Sequence, residues 1–307
     1  MHGMTLEKQT RLTLTAFELD VGEELRLTLA DGTTRVLRLE STGAAVDHTT
    51  LTEIKKPEFG ARTVLRMHAR LVIDGHAADL VRWVGSQKSF YEPWEILGLR
   101  IWFDAAAALF DHLNEDHGPC KPRKAARFAV QEAGRHICPV LLHPWCPLPP
   151  HSLRIEDCYE GGDCWMGPYY GADAHGGLDI NHPAGTPIWA PVAIHEHELF
   201  NSLANGDNNN RWRGHCRWSD GSVWTLQVHH ILRLRVPLDE PVMAGALLAD
   251  GAGVRNGSHE HSHFVFKVRE PGTGPEDEIA LDPWILFWQM YRDREITRDR
   301  AFGTPLR

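Results

Sequence analysis

Short runs in which apolar and polar residues alternate, each closed by a tight-turn dipeptide, constrain the fold of this chain more than any other feature. In residues 25–29 three leucines alternate with arginine and threonine, and Asp31-Gly32 follows. Residues 63–73 and 77–84 repeat the arrangement around Asp74-Gly75. Alternation with a period of two puts apolar side chains on one face of a strand, and Asp-Gly supplies the positive φ that a hairpin turn needs. The pattern predicts antiparallel β structure for most of the first hundred residues.

Two segments after residue 100 lose this alternation. Residues 104–117 start with Asp104, a good helix N-cap, and precede Gly118, whereas residues 122–133 begin with a proline and end before Gly134. Both are predicted as short helices, because such capping residues and a proline–glycine frame mark helix ends. Five prolines then crowd into residues 138–150, which is typical of a linker.

These signals divide the chain into three predicted parts. The first is a β-rich N-terminal domain of unknown role (1–118), the second is a helix and proline-rich linker (119–150), and the third is a C-terminal domain (151–307). In the third part, apolar patterning predicts short strands and one closing helix. The predicted strands are 187–193, 211–218, 222–236, 242–249 and 262–268, and the predicted helix is 283–292.

Charge and hydropathy exclude two classes of function. The chain of 307 residues has 32 Lys and Arg against 41 Asp and Glu, a net charge of −9, and its basic residues form no stripe. Nucleic-acid binding needs a basic surface, so no nucleic-acid partner is predicted. The longest apolar stretch, 279–290, is too short for a membrane span and contains Asp282 and Pro283, so no transmembrane segment is predicted. The oligomeric state stays open.

The cysteines and the first residues bear on where the protein works. Six cysteines permit full disulfide pairing, as secreted chains prefer. The first five residues have neither the basic start nor the apolar stretch of a secretion signal. Two interpretations fit: an exported protein whose signal peptide is absent from this sequence, or a protein that stays inside the cell. We favour the first and predict an extracytoplasmic location, in the periplasm, the cell envelope or the medium.

The 19 histidines point to metal chemistry, and the first of three notable segments holds His175 and Asp179. These residues are four apart with Gly176 and Gly177 between them, and glycine lets the backbone fold tightly around an ion. Imidazole and carboxylate are both zinc ligands, at about 2.0–2.2 Å. Taken alone, such a pair is more often polar surface than a metal site.

The second segment, residues 259–263, reads HEHSH and so contains the H-E-x-x-H pattern of helical zinc proteases. Glycines precede it and an alternating stretch rich in Phe and Val follows, so a loop entering a strand is predicted instead of a helix. On a strand, His261 and His263 point to the same face, about 6.5–7 Å apart. One could bind a metal while the other faces a water on that metal; the alternative is a surface patch of histidines without an ion.

The third segment is a predicted strand that contains two consecutive histidines. With a period of two, His230 shares a face with Trp224, Leu226 and Val228, and His229 lies on the opposite face. A histidine at the end of an apolar stripe is, by itself, more often a hydrogen-bonded core residue than a catalyst.

In this order, the three segments resemble the lysostaphin/LytM-type zinc metallopeptidases, which cut peptide bonds in bacterial peptidoglycan. That family has H-x-x-x-D, then a strand with a histidine before an apolar residue, then H-x-H followed by Phe and a strand. Here these are residues 175–179, His230-Ile231 and residues 261–264. The resemblance extends through the connecting residues and covers about residues 171–268.

Two positions depart from the family pattern. Val228 stands where the family usually has an aromatic residue, which removes a stacking or hydroxyl contact. Residues 194–197 contain a second H-x-H where the family usually has a turn, and we predict a turn there.

The resemblance implies a fold and a function. The implied fold is mainly β, with an antiparallel β-sheet metallopeptidase domain at residues 151–307 preceded by the β-rich N-terminal domain with two short helices. The implied function is a zinc-dependent endopeptidase with a peptidoglycan peptide as its substrate. The ligands implied for one Zn²⁺ per chain are His175, Asp179 and His263, with one position left for water. His261 and His230 would orient or deprotonate that water and stabilise the oxyanion, and His229 would replace His230 if the register is shifted by one.

Two alternatives from other classes remain. One is a catalytically silent member of the same fold that binds peptidoglycan or a partner without cutting. The other is a histidine-rich metal-binding protein in which the 19 histidines act collectively. Stoichiometry separates the second from the enzyme, because one tightly held zinc per chain favours the enzyme and several weakly held ions favour storage.

Overall fold

The computed structural model of the chain describes residues 5–50, 62–113, 120–158, 168–169, 173–201, 210–251 and 261–301. Within these ranges it is mainly β, as predicted, with twenty strands, several short 3-10 helices and one α-helix. The strands of the first half are β1 (Thr5–Gln9), β2 (Thr15–Leu19), β3 (Glu24–Thr28), β4 (Thr34–Thr50), β5 (Arg62–Ile73), β6 (His76–Val84), β7 (Trp94–Ile96), β8 (Leu99–Ala106) and β9 (Ala126–Glu132). The elements of the second half are β10 (Pro168–Tyr169), β11 (Asp173–Ala174), β12 (Leu178–Asn181), β13 (Thr186–Trp189), β14 (Glu196–Asn201), β15 (Asn210–Arg217), β16 (Val223–His229), β17 (Arg233–Leu234), β18 (Leu247–Gly251), β19 (His261–Arg269), β20 (Ile279–Leu281) and α1 (Trp284–Ala301). In the part of the chain that is described, no helix has the length and apolar character needed to cross a membrane.

The chain divides into two compact units. The first comprises Met1–Pro139 with Gly162–Gly176, and the second comprises Val140–Gly161 with Gly177–Arg307. The division into three parts at residues 118 and 150 stays a prediction.

In its described residues the first unit contains two larger sheets and the two-stranded sheet of β10 and β11. One larger sheet has the strand order β1-β3-β4-β5-β6 and the other has the order β2-β9-β8-β7. The hairpin predicted between residues 63–73 and 77–84 is confirmed as β5 and β6, and Asp74 and Gly75 in its turn have φ values of 48° and 82°. The apolar residues of the alternating strands are buried, among them Leu25, Leu27, Leu37, Leu39, Met67 and Leu71.

The helix predicted over residues 122–133 is wrong, because residues 126–132 form β9, which pairs with β2 and β8. Six of its seven residues are buried, so neither face shows the polar alternation of a strand with one exposed face. The proline and glycine that frame the segment bound a strand as well as a helix.

The helix predicted over residues 104–117 is largely wrong as well. Asp104 is not an N-cap but a buried residue of β8, where its Oδ2 accepts a hydrogen bond of 2.6 Å from Arg127 Nε. Only Ala107–His112 form a helix, a short 3-10 helix, and residues 114–117 lie outside the described part of the chain.

The second unit is built around a six-stranded antiparallel sheet. Its order is β12-β19-β16-β15-β14, with β20 added to β19, and a smaller sheet has the order β13-β18-β17. Each predicted strand of this region overlaps an observed one, whereas β12, β14 and β20 fall outside the predicted strands. Residues 194–197, predicted as a turn, instead lead directly into β14 at Glu196.

The closing helix α1 covers one face of this sheet. Its first turn is capped by Asp282, whose Oδ1 accepts a hydrogen bond of 2.8 Å from Trp284 N. Phe287 of α1 packs edge-on against Phe264 of β19 at 5.3 Å between ring centroids, and Trp145 lies 4.8 Å from the same Phe264 ring. The helix predicted over 283–292 is therefore confirmed and continues to Ala301. Phe264, Trp145 and Phe287 together form an aromatic layer on this face of the sheet. Because side chains alternate along β19, the residues flanking Phe264 face away from the aromatic layer.

Candidate metal centre

A row of polar side chains crosses three strands on the sheet face opposite the aromatic layer. Asp179 of β12 is in register with His263 of β19, and His263 is in register with His229 of β16. Directly paired residues of antiparallel strands project to the same face, so the three side chains are neighbours. His261, two residues before His263, lies on this face as well.

Short distances connect the members of this group. His263 Nδ1 lies 2.6 Å from Asp179 Oδ1, and His261 Nε2 lies 3.7 Å from Asp179 Oδ2. His175, which follows β11, completes a set with Asp179 and His263 in which one ligand atom from each lies within 4.8 Å of the others. Asp179 is 2% exposed and His175 is 5% exposed, so the carboxylate is held out of solvent among imidazoles.

This set fits a zinc ion by its chemistry and by the space around it. Two imidazoles and one carboxylate are typical zinc ligands, and three protein ligands leave a position open. A buried carboxylate needs a compensating positive charge, which a divalent cation supplies. Gly177 provides the necessary space, because a Cβ on it would lie 2.4 Å from His263 Nε2 and 2.5 Å from the backbone oxygen of Phe264. The spacing H-G-G-x-D thus depends on a glycine at 177 for a steric reason.

His230 reaches the site by a route that the sequence did not indicate. The period-two pattern places it on the apolar face with Val228, but β16 ends at His229 and His230 has a φ of 65°. This left-handed backbone turns the side chain away from the strand pattern, and its ring lies 4.6 Å from that of His261 between centroids. His230 is 7% exposed and His261 is 4% exposed, so the two imidazoles form a buried pair beside the ligand set.

His229, the alternative to His230, also lies in the site. Its ring stacks on that of His263 with 4.6 Å between centroids and 26° between planes. Burial lowers its pKa well below the usual value, and the charges of His263 and Arg211 lower it further, so this imidazole is neutral at neutral pH. The structure therefore brings both consecutive histidines to the ligand set, through different contacts.

His182 is a buried histidine near the site that the sequence argument did not single out. Burial, followed by the charge of His261, lowers its pKa to about 4. Its ring packs edge-on against Phe264, and its Nε2 has no hydrogen-bond partner among the described residues. Its place three residues after Asp179 is the only sequence signal that could have drawn attention to it.

The second H-x-H, at residues 195–197, has structural contacts. His197 Nδ1 accepts a hydrogen bond from Trp212 Nε1 at 3.1 Å, and its Nε2 lies 2.9 Å from the backbone oxygen of Glu240. Both ring nitrogens are occupied, which leaves no lone pair for a metal. In the HEHSH segment, residues 261–263 begin β19, in agreement with the predicted strand. His259 and Glu260 of this segment lie outside the described residues.

No protein family and no curated protein matches the sequence. The matching solved structures include lysostaphin. This chain is 22% identical to the catalytic domain of the antimicrobial peptidase lysostaphin from Staphylococcus simulans, a match that covers 38% of this chain and 81% of that chain with a TM-score of 0.30.

Two further structures extend the comparison. A second structure of lysostaphin matches at 20% identity over 48% of this chain and 50% of that chain, with a TM-score of 0.31, so the match spans about half of that protein. A zinc-containing peptidase from Vibrio cholerae matches at 10% identity over 87% of this chain and 83% of that chain, with a TM-score of 0.32. The chain thus resembles peptidases of the lysostaphin type.

Proposed function

We propose that this chain is a zinc-dependent endopeptidase that hydrolyses peptide bonds in bacterial peptidoglycan, with one zinc ion per chain. The observation that carries the proposal is the convergence of His175, Asp179 and His263 within 4.8 Å, beside the buried pair His230 and His261. Three zinc-type ligands together with two further imidazoles provide the parts that metal-assisted hydrolysis requires. The order of the three motifs along the chain, which resembles that of the lysostaphin/LytM type, supports peptidoglycan as the substrate.

In this proposal, the ligand side chains are held ready for the ion by the sheet. Asp179 and His263 are paired across β12 and β19, and their ligand atoms are already 2.6 Å apart. The chemistry that zinc supplies when bound to such residues is polarisation of a peptide carbonyl and a lower pKa for water.

The remaining two histidines would handle the proton. His261 Nε2 lies 3.7 Å from Oδ2 of the proposed ligand Asp179, so a lone pair on this nitrogen would accept a proton from the attacking water. The same nitrogen could then return that proton to the leaving amine. The neighbouring ring of His230 would donate an N–H to the developing oxyanion, where burial strengthens the interaction.

The proposed substrate determines where the protein would work. Peptidoglycan lies outside the cytoplasm, so an enzyme that cuts it works in the periplasm, the cell envelope or the medium. The extracytoplasmic location is therefore part of the same proposal.

Metal analysis of the purified protein and cleavage of a defined muropeptide test the proposal together. We expect one zinc per chain, loss of cleavage with a chelator, and recovery when zinc is restored. His230→Ala and His261→Ala should each lower turnover by at least about 10²-fold, the usual minimum for losing a general acid or base, while zinc stays bound. His195→Ala, which changes the exposed first histidine of the other H-x-H, is the matched control and should keep full activity.

Three results would contradict this assignment. Loss of zinc from His261→Ala would make that residue a ligand. Binding of cell walls by the zinc-loaded protein without any cleavage would identify a silent member of the fold. Several weakly held ions per chain would favour the histidine-rich metal-binding protein.

A further inference from the structure

The proposed reaction uses His230 and leaves His229 without a role, although His229 touches a proposed ligand directly. It is the last residue of β16 and lies in register with His263. The two rings are stacked face to face, with 4.6 Å between centroids and 26° between planes. The ring of His263 is thus covered on one face by a second imidazole.

The ring of His229 is itself held from another direction. Its Nε2 lies 3.4 Å from Oε1 of Gln227, which is two residues earlier on the same strand face. Gln227 is 6% exposed, so this contact is shielded from competing water. A strand backbone and a buried amide therefore fix the orientation of the ring that stacks on His263.

We propose that His229 is a positioning residue that holds the ring of His263 in the plane in which Nδ1 meets Asp179 and the metal. This inference rests on the proposed function, because it assumes that His263 is a zinc ligand. Gly177 lies against the Nε2–Cε1 edge of the His263 ring, and His229 lies against its face. Between these contacts the ring has little freedom to rotate, and only Nδ1 remains directed at the carboxylate, 2.6 Å away.

The expected effect is on metal affinity more than on folding. Contacts that orient a ligand from outside the coordination sphere typically change metal affinity about 10–100-fold when they are removed. The stack needs a flat ring at residue 229 but not a nitrogen, so phenylalanine should replace histidine and alanine should not.

Competition with a chromophoric chelator measures the zinc Kd of the full chain, and the visible spectrum of the cobalt(II)-loaded protein reports the ligand geometry. We expect His229→Ala to raise the zinc Kd at least about tenfold and to change the cobalt spectrum. His229→Phe should stay within about threefold of the unaltered protein with a similar spectrum. Thermal melting of the metal-free forms controls for folding.

The outcomes separate this inference from the function on which it rests. No zinc in the unaltered protein overturns both. Zinc in the unaltered protein with an unchanged Kd in His229→Ala overturns the inference alone, and so does a Kd in His229→Phe as high as in His229→Ala. Should His229→Ala fail to fold, His229→Leu decides, because leucine fills part of the same space without a flat face to stack on His263. A zinc Kd raised at least about tenfold in His229→Leu supports the inference, and a Kd within about threefold of the unaltered protein overturns it.

Discussion

Replacing Gly177 with alanine is the smallest change that should disable the proposed metal centre. A Cβ at this position would lie 2.4 Å from His263 Nε2 and 2.5 Å from both His263 Cε1 and the backbone oxygen of Phe264. Ordinary contacts of a Cβ are 3.4 Å or longer, so neighbouring atoms must move by about 1 Å. Side-chain rotation cannot relieve the contact with Phe264, because that atom belongs to the backbone of β19.

The size of this shift sets the expected effect. Metal–ligand distances tolerate about 0.2 Å, so a displacement of about 1 Å takes His263 out of the coordination sphere. A site with two remaining ligands should bind zinc at least about a hundredfold more weakly, on the order of 3 kcal/mol, since each tenfold step is about 1.4 kcal/mol. Overpacking should also cost about 1–3 kcal/mol of unfolding free energy.

Chelator competition gives the zinc Kd of Gly177→Ala, and urea unfolding gives its stability. Gly43→Ala is the matched control, since its Cβ would lie 2.8 Å from Cε1 of the exposed His68, a side chain that can rotate away. The control should bind zinc normally. A Gly177→Ala protein with the zinc affinity and cleavage rate of the unaltered chain would refute the assignment of His263 as a ligand in this geometry.

Two further predictions concern buried charge. Asp104→Ala removes the closer of two carboxylates that pair with the buried Arg127 guanidinium, at 2.6 Å, and leaves Glu18 at 3.5 Å. This change should destabilise the first unit by about 3 kcal/mol in urea unfolding, whereas removing the exposed carboxylate of Glu198 should change stability by less than about 1 kcal/mol. Burial, and after it the charge of His261, lowers the pKa of His182 from 6.5 to about 4, so the unfolded chain binds a proton at higher pH than the folded chain does. Stability of the metal-free protein should therefore fall as pH drops from about 6.5 to about 4, by up to about 3 kcal/mol, and His182→Phe should flatten this part of the profile; an unchanged profile would refute the burial argument.

The parts of the fold that sequence predicts well are those with one buried and one exposed face. In β5 and β6 the apolar residues occupy alternate positions, and the turn at Asp74-Gly75 requires the positive φ that this dipeptide supplies. In β9 nearly every residue is buried, so alternation disappears and a proline–glycine frame mimics a helix. Asp104 misled for a related reason, because a carboxylate that pairs with a buried guanidinium looks in sequence like a helix cap.

In the candidate site, too, the sequence predicts some features and only the folded structure determines the others. The spacing of His175 and Asp179, and of His261 and His263, indicates two pairs that could share an ion, but only the register of β12 on β19 brings Asp179 and His263 together across 84 residues. His230 could not be placed from the pattern, because the strand ends one residue earlier and a histidine with positive φ has no reliable sequence signal.

The position of Phe264 explains why the metal centre and the core depend on each other. Phe264 packs against Trp145 and Phe287 on one face of β19, while His263, the residue before it, faces Asp179 on the other. A slip of β19 by one residue would expose the aromatic ring and bury the imidazole, so the aromatic layer selects the register in which the ligands meet. Zinc binding on the opposite face would favour that same register. A ligand that binds only the folded state raises the free energy of unfolding by RT ln(1 + [L]/Kd), where [L] is the free ligand concentration. Weakening the aromatic layer should therefore lower zinc affinity even though none of its side chains touches the ion, and adding zinc should recover part of the stability that such a change removes.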